Sequence, residues 1–374
     1  MKRRFIFLIV ILFPLLLSDC GGNKITVEVP PPKPVEKPDD TTTPDTPGDE
    51  KPDEKPDETH PWDANRGKVV TPSGTGWTSK TIDDGVVYYT FSGTDSVTGT
   101  AKEEVFVIDL DLSKTQYQAK LLFTSPAVVV SDAFKLNGNT IAAMNANYEV
   151  NSIFVRVDGS TRYQIPKDVI GEKAIPNWKS EAAFTSDGER GLGIFFAGSP
   201  QRDGKIKGIK GKTYSEAVSM QRSYYTSIAS SHRNMISSAP MLIDDYEPVG
   251  ENFCDYSLSD SQVNKLNGED PNRHQRVRHP RTAVALTENN HFIMLVVDGR
   301  QVSKGMNARE LTRFLVKWFN PQYALNMDGG GSSTLCVKGE GDPETHVVNY
   351  PCDNKVYDHA GERARSVHFV ILKK

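Results

Sequence analysis

Short apolar runs rich in β-branched and aromatic residues dominate the chain after residue 80. Runs of this length and composition are typical of strands rather than helices. We predict strands at Val86–Phe91, Val105–Leu110, Gln118–Phe123, Thr140–Met144, Ile153–Val157, Gly193–Ala197 and Val367–Leu372. The body of the chain is therefore predicted to be rich in β-structure.

The C-terminal third predicts a hairpin followed by a helix. Thr282–Leu286 and His291–Val297 are two strand-like runs separated by a short polar turn, as in a β-hairpin. Asn307 is a predicted helix N-cap, and Glu310 three residues later completes a capping box. Apolar side chains then recur at helical spacings of three and four, at Leu311, Phe314, Leu315 and Trp318.

His291–Val297, this helix and the next run, Tyr323–Met327, form a predicted βαβ unit. We expect its strands to be parallel neighbours joined by a right-handed crossover. Asp298 follows the first strand and Asp328 the second, so both should face one crevice at the edge where α/β sheets bind ligands. Plain Asp-Gly turns are the alternative. The predicted fold is α/β (mixed α+β), a single large domain with a mixed twisted sheet and this C-terminal βαβ unit.

The first 20 residues have the pattern of an export signal. Lys2, Arg3 and Arg4 precede the apolar run Phe5–Leu17, so we interpret residues 1–19 as a signal peptide. Cys20 ends the hydrophobic segment and is followed by two glycines, which resembles a bacterial lipobox. A lipidated Cys20 would place the protein in the cell envelope, anchored to the outer membrane and facing the periplasm or the cell surface. The alternative is an ordinary secretory signal with an incidental cysteine.

Residues 20–66 are predicted to be a disordered spacer after the lipidated cysteine. Residues 21–66 contain 10 of the 23 prolines, with 12 acidic and 6 basic residues. Such a composition buries too little apolar surface to fold. Residues 67–374 are formally neutral, which argues against nucleic acid as a partner. Cys254, Cys336 and Cys352 lie in this part, and either Cys336 and Cys352 form a disulfide or all three are reduced thiols.

Two segments have the chemistry of an anion site. The segment Asp328-Gly329-Gly330-Gly331-Ser332-Ser333 combines three glycines with two hydroxyls. Backbone N–H groups can converge there around a phosphate or a developing oxyanion. Residues 273–281 contain four arginines, and Arg281, at the start of the hairpin, is the best candidate for a two-pronged contact with phosphate.

Two further groups lie at strand boundaries. Asn145, Asn147 and Tyr148 close the run Thr140–Met144, where amides could hydrogen-bond to sugar hydroxyls or simply form a turn. Glu362 and Arg363 precede the last strand. An adjacent pair of this kind is usually a surface ion pair.

Taken together, these segments resemble the phosphodiester glycosidase family. The similarity runs through residues 142–148, 238–243, 278–284, 295–301, 305–306, 325–334 and 362–363. The aspartate–triglycine–serine segment is the most specific of them. Asn145-Ala146-Asn147 stands where the family has Asn-Gly-Gly, a change at the expected sugar pocket.

The resemblance implies hydrolysis of a sugar-1-phosphodiester at its glycosidic bond. No cofactor is predicted, and a metal held by Asp298 and Asp328 is the alternative. Phosphate would bind to Arg281, His279, Arg363 and the Gly329–Ser333 segment. Asp328 or Glu362 would be the nucleophile or base, Asp298 would orient the reacting groups, and Asn145, Asn147 and Tyr148 would hold the sugar. The alternative function is a tethered glycan-binding lipoprotein without catalysis.

Overall fold

A seven-stranded antiparallel sheet, sheet A, lies at the centre of the protein. The computed structural model describes residues 60–166, 177–187 and 191–374, so the predicted signal peptide, Cys20 and residues 20–59 of the predicted spacer lie outside the described residues. In spatial order sheet A contains β1 (Trp77–Asp83), β2 (Val86–Thr94), β3 (Lys102–Asp111), β15 (His291–Val297), β14 (Arg281–Leu286), β16 (Tyr323–Asn326) and β13 (Met241–Ile243).

Two smaller antiparallel sheets and a short ribbon accompany sheet A. Sheet B contains β17 (Leu335–Val337), β5 (Thr140–Asn145), β18 (Arg365–Lys373) and β4 (Tyr117–Val128), in that order. Sheet C contains β7 (Ser160–Tyr163), β6 (Val155–Val157), β12 (Met235–Ser238), β8 (Ala182–Ser186) and β9 (Leu192–Phe196). The ribbon consists of β10 (Gly198–Ser199) and β11 (Arg202–Asp203).

Helices cover the outer faces of these sheets. They are α1 (Val130–Lys135), α2 (Tyr214–Ile228), α3 (Asp260–Lys265), α4 (Pro271–Arg276) and α5 (Ala308–Trp318). The predicted capping box at the start of α5 is confirmed, since Asn307 accepts from the backbone N–H of Glu310 and the Glu310 side chain accepts from that of Asn307. Leu311, Phe314 and Leu315 of α5 pack into the same apolar cluster as the facing side chains of sheet A.

The three sheets meet in one apolar core. Phe184 of sheet C, Phe292 of sheet A and Phe369 of sheet B form its centre, with ring centroids 5.0–6.2 Å apart. All three rings are buried, and each comes from a run that alternates or is apolar throughout. Burial of such runs from three sheets explains why a single large domain forms, as predicted.

The C-terminal strands are arranged differently from the predicted βαβ unit. β14 pairs antiparallel with both β15 and β16, so the hairpin is confirmed. β15 and β16 are consequently parallel, but they are not neighbours. Two strand spacings separate them, about 10 Å. Asp298 and Asp328 still follow strands that end at the same edge of sheet A, as the sequence predicted.

Three further features bear on the sequence predictions. Residues 60–66, assigned to the spacer, belong to the folded part: Asn320 donates from Nδ2 to the carbonyl of Asn65 at 2.7 Å, and Arg66 pairs with Asp245 at 2.8 Å. The cysteines at 254, 336 and 352 are buried and unpaired, so the disulfide alternative is not formed. None of the helices in the described residues has the length and apolarity that a membrane-spanning helix requires.

Candidate active site

The triglycine segment after β16 forms a tight turn whose N–H groups are used by the protein. Gly330 has a φ of +66°, and a short 3-10 turn covers Gly330–Ser332. The N–H of Gly330 donates to the carbonyl of Pro280 at 2.9 Å. Those of Ser332 and Ser333 donate to Gly329 and Gly330, each at 3.3 Å. These three amides therefore do not form the open phosphate cradle that the sequence predicted.

The glycines instead make room for two arginines. A Cβ atom on Gly331 would lie 2.6 Å from Nη2 of Arg363, and one on Gly330 would lie 3.1 Å from Nη2 of Arg300. The first distance is below any real Cβ contact and the second is tighter than most. Glycine at these two positions leaves room for the two guanidinium groups to lie against the turn. The turn is therefore lined by arginine side chains.

Of these two arginines, Arg300 has less of its positive charge balanced by nearby carboxylates. Arg363 is bonded to Asp353, whereas no carboxylate lies within 4.0 Å of Arg300 among the described residues. The Arg300 side chain is exposed, and its φ of +65° is rare for a non-glycine residue. Its Nε donates to Nδ1 of His279 at 3.4 Å. Burial, with help from Arg281 and Arg300, lowers the pKa of His279 to about 3, which leaves that nitrogen free to accept.

Asp328 lies beside the turn, in contact with a third arginine. Its Oδ2 accepts from Nε of Arg365 at 2.6 Å, and only 5% of the residue is exposed. Its backbone is held to the end of β5, because its N–H donates to Ala146 at 3.2 Å and its carbonyl accepts from Asn145 at 2.7 Å. Burial raises the pKa of Asp328, and Arg365 opposes that shift.

The residues predicted to hold sugar hydroxyls are part of the scaffold. Asn145, Asn147 and Tyr148 are at most 2% exposed. Each uses its polar atoms on the protein: Asn145 accepts from the N–H of Thr334, Asn147 from the N–H of Val367, and Tyr148 donates to the carbonyl of Ala239. The protein buries these side chains, and we correct their role from sugar binding to support of the site.

Arg281 is also buried. It is 1% exposed, and its guanidinium donates to four acceptors of the protein. These are the carbonyls of Met306, His274 and Val277 and the Oε1 of Gln275, at 2.8–3.1 Å. A guanidinium group that is buried and hydrogen-bonded in this way cannot contact a substrate phosphate. We therefore correct the predicted phosphate contact: Arg281 fixes α4 and the residues that follow it.

Asp298 holds the loop on the far side of the turn. Its two oxygens accept from Nδ2 of Asn349 at 2.8 Å and from the N–H of Tyr350 at 2.9 Å. The same Asn349 amide donates to the carbonyl of Ser333. Burial raises the pKa of Asp298 to about 7. Asp298 thus holds Asn349 and Tyr350 beside the turn, and its predicted role in orienting the reacting groups stays a prediction.

Glu362 and Ser333 are hydrogen-bonded within the protein, and Ser332 is buried. Glu362 accepts from the N–H of Ser131 at 3.0 Å and from its hydroxyl at 2.5 Å, in the first turn of α1. It acts as a distant cap of that helix, so we correct its predicted role as nucleophile or base. The Ser333 hydroxyl meets that of Thr282 at 3.2 Å, and Ser332 is fully buried. Neither hydroxyl is an open donor for phosphate.

Comparison with known proteins places these residues in a family. A model of the phosphodiester glycosidase family matches residues 144–372, more than half of the chain. The chain belongs to the phosphodiester glycosidase family. Over 83 residues it is 35% identical to N-acetylglucosamine-1-phosphodiester alpha-N-acetylglucosaminidase of Bos taurus, which is 22% of this chain and 14% of that relative. The alignment therefore spans a small part of the relative's length.

A solved structure shares the fold of this phosphodiester glycosidase family member. A protein described as exported from Burkholderia pseudomallei has a TM-score of 0.50 at 12% identity, with 82% of this chain and 98% of that chain covered. The catalytic domain of zebrafish N-acetylglucosamine-1-phosphodiester alpha-N-acetylglucosaminidase, auto-inhibited by its pro-peptide, has a TM-score of 0.48 at 17% identity, with 82% and 87% covered.

Four residues at this site of the phosphodiester glycosidase domain were not predicted from the sequence. Arg300 and Arg365 approach the glycine turn and Asp328. Glu149, which is hydrogen-bonded to Lys179, is close enough to Asp328 to raise its pKa. Arg300 sits directly after the Asp-Gly pair that ends β15, so that position was a usable signal. Nothing local marks Lys179, because its partners lie 30 and 90 positions away. No group of three or more potential metal-ligating acids, histidines or cysteines was found in the described residues.

Proposed function

We propose that the protein hydrolyses a sugar-1-phosphodiester at the glycosidic bond and releases a free sugar and a phosphomonoester. One observation carries this proposal. Two guanidinium groups, of Arg300 and Arg363, lie against a glycine turn that begins at the Asp328–Arg365 ion pair. An anion-binding surface and a buried carboxylate are thereby joined at one sheet edge, inside the segment that matches a phosphodiester glycosidase family.

The arginines would bind the phosphate. Guanidinium groups match phosphate oxygens with two parallel hydrogen bonds. Arg300 has no carboxylate partner among the described residues, so its charge is available to a diester with a single negative charge. Arg363 is 40% exposed and shares its charge with Asp353. Arg300 is accordingly the main phosphate ligand in this proposal, and Arg363 is the second.

Asp328 would act on the sugar side of the scissile bond. A phosphate is a good leaving group, so the reaction depends chiefly on stabilising positive charge at the anomeric carbon. A carboxylate that is ion-paired with Arg365 in a buried setting can supply this stabilisation, because electrostatic effects are strong where water is excluded. Arg365 would in turn hold Asp328 in a fixed orientation.

The cellular location of the protein is a second part of the proposal. The sequence pattern of residues 1–20, with its basic start, apolar run and terminal Cys20, supports an envelope lipoprotein whose substrate is a glycan or sugar phosphodiester outside the cytoplasm. Palmitate labelling of the expressed full chain and of a Cys20→Ser variant would test the anchor. Label on both proteins, or on neither, would contradict it.

A panel of sugar-1-phosphodiesters tests the activity. The purified protein should release reducing sugar and phosphomonoester in equal amounts from at least one of them. The matched variants Arg300→Ala and Arg313→Ala compare the site with a distant exposed arginine, which pairs with Glu251. Binding of the diesters without turnover would instead support a glycan-binding lipoprotein.

A further inference from the structure

A buried lysine next to the site holds two exposed carboxylates. Lys179 is 1% exposed and lies in the short 3-10 turn Asn177–Ser180. Its Nζ donates to Glu149 at 2.6 Å and to Glu269 at 2.7 Å, and it lies 5.0 Å from the ring centroid of Tyr148. The two glutamate side chains are 52% and 53% exposed. The lysine therefore fixes two carboxylates that remain open to water.

This arrangement is more than a surface ion pair. Burying an ammonium group is unfavourable unless it is paired and hydrogen-bonded. Lys179 satisfies that requirement with two acids, and the trio keeps one net negative charge at the surface. Each glutamate uses Oε2 on the lysine, and its other oxygen is free of that bond. The two acids thus contact the same ammonium group at nearly the same side-chain exposure.

Their positions relative to Asp328 differ. Glu149 lies three residues beyond Ala146, whose carbonyl accepts from the N–H of Asp328. Arg365 lowers the pKa of Glu149 together with Lys179, and Glu149 raises that of Asp328. Glu149, Asp328 and Arg365 therefore interact as one group. Glu269 approaches the lysine from the loop just before α4.

The pKa values of Glu149 and Asp328 are shifted in opposite directions. Lys179 and its hydrogen bond lower the pKa of Glu149 against the effect of burial, and burial raises the pKa of Asp328. Two neighbouring carboxyl groups with diverging pKa values are typical of sites where one acts as a base. A base must also reach water, and Glu149 is half exposed whereas Asp328 is buried.

We propose that Glu149 is the general base that activates the attacking water, an inference that rests on the proposed glycosidic hydrolysis. Glu149 takes a proton from water while the water oxygen forms a bond to the anomeric carbon. The bond from that carbon to the phosphate oxygen breaks, and its electron pair leaves with the phosphomonoester. The proton on Glu149 then returns to solvent. Lys179 is a positioning residue that orients Glu149.

Glu149→Gln and Glu269→Gln form a matched pair for the test. Each removes one carboxylate from the same lysine at the same exposure. Glu149→Gln should lower kcat on the sugar-1-phosphodiester by about 100-fold or more, the usual share of a general base. Glu269→Gln should stay within a few-fold of the wild type. Equal losses would show that the acids serve only to hold Lys179, and unchanged turnover by Glu149→Gln would also overturn the assignment.

Two more readouts separate a base from a structural residue. The wild-type kcat/KM should fall at acid pH in two steps. The first comes from Asp328, whose pKa burial raises, and the second from Glu149, whose pKa Lys179 lowers. Glu149→Gln should keep only the first step. A single displacement by water inverts the anomeric configuration, so the first sugar seen by NMR should be inverted. An unchanged acid limb or a retained configuration would contradict the role of Glu149 while the proposed hydrolysis stands. A wild type that cleaves none of the diesters would overturn both.

Discussion

Arg365 donates from Nε to Oδ2 of Asp328 at 2.6 Å, and the two residues belong to different sheets. Asp328 follows β16 of sheet A, and Arg365 is the first residue of β18 in sheet B. The pair therefore joins the ends of two sheets at the proposed site. Its geometry depends on the packing of both sheets, which ties the position of the carboxylate to the core.

Replacing Asp328 with Asn should remove most of the activity. The change is nearly isosteric, but it deletes the negative charge that is proposed to stabilise the anomeric centre. We expect kcat to fall by about 100-fold or more. Because Arg365 keeps a hydrogen-bond acceptor, the free energy of unfolding should change by only about 1–2 kcal/mol. Both quantities can be measured on one preparation.

The comparison variant is Glu362→Gln, which removes the other carboxylate that the sequence proposed as nucleophile or base. It should keep its activity and lose about 1 kcal/mol of stability, because it weakens the cap of α1. Full activity of Asp328→Asn, with loss of activity in Glu362→Gln, would reverse our assignment.

Replacing Arg300 with Lys tests whether phosphate is bound by a fork. Lysine keeps the charge but cannot make two parallel hydrogen bonds to phosphate oxygens. Losing a charge-assisted bond is worth about 1.5–3 kcal/mol, so kcat/KM for the phosphodiester should fall about 10- to 100-fold. Arg313→Lys, at a distant exposed arginine, is the control. If both variants lose activity equally, Arg300 contributes only a general positive electrostatic potential and makes no specific contact with phosphate.

The sequence predicted the strands of this protein better than its site. Runs such as Val105–Leu110 and the α5 capping box depend on neighbours in the chain, so local patterns were sufficient. The insertion of β14 between β15 and β16 depends on which distant strands pair, and the sequence alone contains no direct signal of that. The same edge was nevertheless predicted for Asp298 and Asp328, because both follow strands that run in the same direction.

The corrected site residues share one physical cause. Arg281, Asn145 and Tyr148 are polar residues at strand boundaries, where the sequence indicated a binding site. Each is buried by elements that are far away in the chain, and each satisfies backbone groups there. Burial of a polar residue cannot be read from its own segment. Arg300, which was not predicted as a site residue, is exposed in the loop that follows β15.

Replacing Arg281 with Lys should therefore affect stability rather than phosphate recognition. A lysine at 281 cannot reach all four acceptors, which leaves buried carbonyls unpaired. We expect the free energy of unfolding in urea to drop by about 3 kcal/mol. Arg162→Lys, at an exposed guanidinium that lies over the ring of Phe123, should change it little. A stable Arg281→Lys protein with a defect confined to phosphodiesters would restore the original assignment.

The buried carboxyl group of Glu103 should make the stability of the protein depend on pH. It is fully buried on β3, and its Oε2 accepts from the hydroxyl of Ser303 at 3.0 Å and the N–H of Gly305 at 2.8 Å, in the loop that carries Arg300. Its Oε1 has no hydrogen-bond partner among the described residues. Burial raises the pKa of Glu103 from 4.5 to about 7, against these two hydrogen bonds. The folded protein thus holds a proton that the unfolded chain releases between these values.

Stability should consequently fall as the pH rises from about 4.5 to 7, since the folded state binds more protons in this window. Glu103→Gln cannot titrate, so its free energy of unfolding relative to the wild type should rise by about 3 kcal/mol between pH 4 and pH 8. Urea unfolding of both proteins at several pH values measures this difference. A difference that stays constant across the range would mean that the pKa of Glu103 is the same in the folded and the unfolded chain, so that the buried carboxyl group is ionised at neutral pH. The Arg300 loop would then rest on a charged carboxylate whose burial is compensated by its two hydrogen bonds.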